Sequence, residues 1–113
     1  MLLSLQEDSL KKRLEQVERE KQSELKAIED KQIAIIEAYN KSNKDKKGFT
    51  PLSVKPEDIG ASLTAIDPKL AKQLATQTEG VEKVFREKTK SEIRKWNDEL
   101  KELALSFADE REQ

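Results

Sequence analysis

Lys41, Lys44, Lys46 and Lys47 fall within the stretch KSNKDKKG, with Asp45 as the only acid among them. Ammonium groups this close together could hold phosphate oxygens or an acidic partner, and Phe49 follows as the one nearby aromatic. The same lysines also suit a solvated helix end, where cations oppose the negative pole of the helix dipole. With no further aromatic interleaved for base stacking, the pattern disfavours nucleic acid. Lys44, Lys46, Lys47 and Phe49 are the candidate contacts of this region.

Other chemistry is sparse. The chain has no His and no Cys, so the commonest general base, the commonest zinc ligand and the thiol nucleophile are all missing. It carries no glycine-rich phosphate loop and no nucleophile motif. Neighbouring acids such as Glu57–Asp58, and Glu110 near Glu112, sit in highly charged stretches and read as solvated faces. The expectation is a non-enzymatic protein with no catalytic, metal or cofactor residues.

The elements that position these residues are legible from punctuation. All three prolines (Pro51, Pro56, Pro68) and two of the three glycines (Gly48, Gly60) lie between residues 48 and 68. Charged residues make up 40% of the 113, hydrophobic ones 35% and aromatic ones 4%, a mix that fits long exposed helices better than a compact globule. Asp67 followed by Pro68 reads as a helix start, with Asp67 capping and Pro68 at the first helical position. The chain is therefore expected to be one all-α domain, residues 1–113, with helices at 2–46 and 67–111 and a connecting loop at 47–66. Within that loop, KPEDIG has its proline and acids arranged as a short helix start, and Phe49, Leu52, Val54, Ile59, Leu63 and Ile66 supply enough apolar surface to fold over a helix end.

Spacing says more than content. Leu14/Val17, Leu25/Ile28 and Ile36/Tyr39 recur every eleven residues, as do Leu74, Phe85, Trp96 and Phe107. Such an 11-residue apolar repeat keeps a stripe on one face of a nearly straight helix. Folding the chain back at its middle sets Val17 against Trp96 and Ile28 against Phe85. It also sets Lys21, which interrupts one stripe, against Glu92, which interrupts the other. That opposition predicts an antiparallel two-helix coiled-coil hairpin with Lys21 and Glu92 fixing register, a use better attested for such pairs than stabilisation.

Apolar residues also lie outside the stripes. Ile33, Ile35 and Val84 widen the middle, and Leu2, Leu3, Leu5, Ala104, Leu105 and Ala108 widen the open end. A two-helix seam cannot cover these, so Ile33, Ile35, Val84 and Leu105 are candidate partner-surface residues. Assembly into a four-helix bundle is expected, through self-association or a protein partner.

The formal net charge of −1 gives no overall pull toward nucleic acid or anionic membrane. No apolar run approaches a membrane span, and MLLSL is too short for a secretory leader. An intracellular, cytoplasmic scaffold or adaptor that mediates protein–protein assembly is the expected role. The rival is a regulatory arm presenting residues 47–66 to an enzyme or a nucleic-acid machine.

Overall fold

The computed structural model describes the backbone of residues 2–112 and the side chains of residues 8–107. The side chains of Leu2, Leu3, Leu5, Ala108, Glu110 and Glu112 lie outside that set. The described residues form three helices and no strand: α1 (Leu2–Asn43), α2 (Ile59–Ile66) and α3 (Pro68–Glu112). They pack as two compact units. A central unit spans Gln22–Glu82, and a terminal unit combines the segments up to Lys21 and from Lys83.

Helix α1 ends at Asn43, three residues before the expected boundary. The Asn43 side-chain amide turns back to donate to the Tyr39 carbonyl at 2.7 Å, a second donor to an acceptor in the last turns of the helix. Two successive turns follow, Lys46 N–H to Asn43 O at 3.0 Å and Phe49 N–H to Lys46 O at 3.1 Å. Gly48 takes φ +80°, the left-handed region that a residue with a Cβ enters only at a cost. Of the lysine run, Lys41 lies in the last turn of α1, and Lys44, Lys46 and Lys47 lie in the turns beyond it.

The connecting segment contains an ordered helix. Ile59 and Leu63 of α2 are buried beside Ile36 of α1 and Leu74 of α3, and Leu52 and Ile66 pack against that cluster. Three elements converging on one point bury side chains that a pair of helices leaves half open. The extended residues before α2 are held by polar contacts. The Asn40 side chain both donates to Leu52 O (2.9 Å) and accepts from Leu52 N–H (2.8 Å), imitating a backbone ladder pair. Ser62, itself buried, donates to Ser53 O at 2.7 Å, and Ser53 Oγ donates to Asp58 Oδ2 at 2.8 Å. The Asp58 carboxylate is occupied there and makes no cap at α2.

Asp67 begins α3 as its sequence indicates. Its Oδ1 accepts from the Lys69 and Leu70 amides at 3.1 and 3.3 Å, while Pro68 contributes no amide that needs a partner. Gly80 lies within α3, and a Cβ added there would meet nothing within 4 Å. It therefore serves no close backbone approach.

In the terminal unit, Val17 of α1 and Phe85 of α3 are the buried apolar side chains among the described residues. Arg13 pairs with Glu99 and Glu20 with Lys88, so rising numbers on α1 meet falling numbers on α3 and the segments run antiparallel within this unit.

Candidate interaction surfaces

The stripe positions of α1 fall on its protected face. Leu10, Leu14, Leu25, Ile28 and Lys21 are half-buried, and Val17 and Ile36 are buried. On α3, Leu74 and Phe85 are buried, Trp96 and Leu103 half-buried, and Phe107 is 42% exposed. Apolar side chains at these positions turn inward because an eleven-residue period returns them to one side of each helix.

Glu92 is not placed with Lys21. Its carboxylate lies 4.0 Å from Arg13 Nη1 and 3.9 Å from Lys95 Nζ. Arg13 also donates from Nη2 to both oxygens of Glu99, at 2.9 and 3.0 Å. The planar guanidinium, with its several donors, reaches two acids seven residues, about two turns, apart on α3. Arg13, one turn before Val17, was not singled out by the stripe pattern because it stands beside the stripe rather than in it.

These charges rim an open groove of about 610 Å³ in the terminal unit, lined by Lys12, Arg13, Val17, Glu20, Lys88 and Glu92 among others. Lys88 also sits over the Phe85 ring, 4.4 Å from its centroid, covering one aromatic face with a cation. The groove mixes signs and is wide open, so it offers no enclosed volume for a small molecule. A second open groove, of about 520 Å³, lies in the central unit and is lined by Glu29, Glu79 and Glu82 together with Leu25, Pro56 and Ile59. Among the described residues no group of His, Cys, Asp or Glu is arranged to hold a metal ion.

The candidate partner-surface residues divide. Ile33 and Ile35 are half-buried and pack against the buried cluster of the central unit. Val84 and Leu105 stay open, at 52% and 66% exposure. Ile93 at 38% joins Phe107 as a further exposed apolar residue of α3. With Leu100, these two recur every seven residues and form an apolar edge beside the seam, on the side away from the Arg13–Glu99 pair. The sequence reading missed Ile93 because it falls outside the eleven-residue stripe.

Lys44, Lys46 and Lys47 are exposed, and no acid of the described residues lies within 4 Å of them. Phe49 is half-buried and meets Tyr39 edge-on, with ring centroids 6.0 Å apart and planes at 61°. That ring is engaged inside the central unit and offers no free stacking face beside the lysines.

Among the described residues no helix is long and apolar enough to cross a membrane. No protein-family model, curated protein or solved structure matches the chain.

Proposed function

We propose that the chain is a non-enzymatic structural or adaptor module, an antiparallel coiled-coil hairpin whose helix faces bind another polypeptide within a larger assembly. The observation that carries this reading is the unequal coverage of apolar side chains. The central unit closes four of them almost completely, at 4% exposure or less, whereas the terminal unit leaves Ile93, Phe107, Val84 and Leu105 between 38% and 66% exposed on one helix. An edge of Ile93, Leu100 and Phe107 at heptad spacing is the surface that a further helix covers in a four-helix arrangement.

The rival role, an arm that works through its tip, has the exposed lysines of residues 44–47 in its favour. It has against it that the same connection supplies Ile59 and Leu63 to the core and is tied down by Asn40 and Ser62. A photocrosslinking amino acid placed singly at Ile93, Phe107 or Lys46 in the chain's native cells separates the two. An adaptor gives protein adducts from Ile93 and Phe107 and none from Lys46. Adducts from Lys46 alone overturn the adaptor reading in favour of the tip, and no adduct at any position overturns both.

A further inference from the structure

Beside the apolar edge of α3 runs a second row. Lys83, Arg86, Lys90, Arg94 and Lys101 succeed one another by three, four, four and seven residues, so they line one side of the helix over about 27 Å at 1.5 Å per residue. Asn97 fills the remaining place, and the nearest acids, Glu87 and Asp98, stand at the margin of the row farther from the apolar edge. All five cations are exposed. Among the described residues only Lys90 lies within 4 Å of an acid, Glu87 at 3.7 Å, a surface contact between side chains each 60% exposed. The opposite flank of the same helix is different: there Lys88, Glu92, Lys95 and Glu99 alternate in sign, and Lys88, Glu92 and Glu99 pair with α1. In a chain with 22 cations and 23 acids, one flank is neutralised within the unit by α1, and the other is predominantly cationic, with Glu87 paired to Lys90 at its far margin.

We infer that the open face of α3, the basic row Lys83–Lys101 together with the apolar edge Ile93, Leu100 and Phe107, docks an amphipathic helix with an acidic flank, supplied by a different protein. The inference rests on the adaptor reading and names the partner's chemistry. An apolar edge with one charged border is the pattern by which helices choose partners: the edge supplies burial, and the border selects the opposite sign. A nucleic-acid backbone would use the cations and leave Ile93 and Phe107 in water. A bilayer surface suits a helix whose apolar face is bordered by cations on both sides, and here the other border is taken by α1. A second copy is a poor match for the row. On the exposed side of α1, Glu15 and Glu18 are interrupted by Lys11 and Arg19, and α3 set against itself brings cations to cations.

The test uses the full chain and a synthetic helical peptide of three heptads, with leucine and isoleucine at the core positions and glutamate at the flanks. The comparison peptide carries lysine in place of glutamate. Titration is followed by Trp96 fluorescence and by calorimetry at low and at moderate salt. The glutamate peptide should bind at least about tenfold more tightly than the lysine peptide, and the difference should shrink as salt rises. The triple variant Lys90→Glu, Arg94→Glu, Lys101→Glu should reverse the preference, and the neutral triple Lys90→Gln, Arg94→Gln, Lys101→Gln should abolish it. Circular dichroism of both variants checks that these surface changes leave the helices intact. Equal binding of the two peptides, or a preference unchanged in the charge-reversed variant, overturns the acidic-partner inference. Tighter capture of duplex DNA or of phosphatidylserine vesicles than of the glutamate peptide overturns it in favour of another polyanion. A dimer by sedimentation equilibrium that Ile93→Glu dissociates and salt does not overturns it in favour of a second copy. Photocrosslinks at Ile93 with no charge preference in the titration leave the adaptor reading standing and remove only the acidic partner.

Discussion

The central and terminal units use the same two long helices and reach different ends. Around Ile36, the chain brings in a third helix, and four apolar side chains become almost inaccessible. Around Val17 and Phe85 only α1 and α3 contribute, so burial is confined to the seam and the flanks are left to charge pairs and half-exposed rings. A pair of helices has one contact line. A third helix converts that line into an enclosed space, and the gain per apolar side chain rises accordingly. The region that looked like a connector is what closes the core of the central unit.

The sharpest way to break the contrast is Ile36→Ala. Ile36 has no exposed surface, and truncating such a residue in a closed core costs about 2–5 kcal/mol. Urea unfolding should show that loss, and amide exchange should show protection falling through α2 as well as near residue 36. A loss below about 1 kcal/mol would mean that the three-helix cluster is not a closed core. Next in size, and opposite in sign, is Gly80→Ala. The site is helical and its Cβ meets open space, so stability should rise by about 1 kcal/mol from the removed backbone freedom. A loss on this substitution would show that α3 departs from regular helix there. The smallest effect belongs to Arg13→Ala in the terminal unit. Its partners are partly exposed, and pairs of this kind contribute about 0.2–1 kcal/mol, with the larger end favoured by contact with two acids. Half-molar salt should remove most of the difference between Arg13→Ala and the parent chain. A cost of several kcal/mol that ignores salt would mean that the terminal unit depends on this cluster as much as the central unit depends on its core.

Much of the helical content was legible in the residues themselves. Asp67 and Pro68 marked the start of α3 within a residue, because a capping carboxylate and a proline without an amide fit only a helix beginning. The apolar stripes marked the protected faces, because the helix period decides which side chains share a side. The end of α1 was misplaced by three residues, since the polar residues after Asn43 are acceptable helix formers, and the chain instead takes two turns there that lead to Gly48 at positive φ. KPEDIG pointed to a short helix, which begins only at Ile59, after its proline and acids and without a cap from Asp58. Its burial could not be read, because Ile59 and Leu63 are only two apolar residues in a short segment until Ile36 and Leu74 are brought beside them.

Charge partners divide in the same way. That Lys21 and Glu92 each break a stripe is written in the sequence, and so is the predominantly basic row from Lys83 to Lys101. That Glu92 meets Arg13 rather than Lys21 is not, because an ion pair is settled by side-chain reach across two helices at distances of about 4 Å, finer than any spacing rule resolves. The sequence by itself determined the two long helices to within a few residues of their ends and which face of each is apolar, since both follow from interactions within a few residues along the chain. Only the tertiary structure decided which apolar faces are closed, which remain open and which charges meet, since each of those depends on a third element or on an opposing side chain distant in sequence.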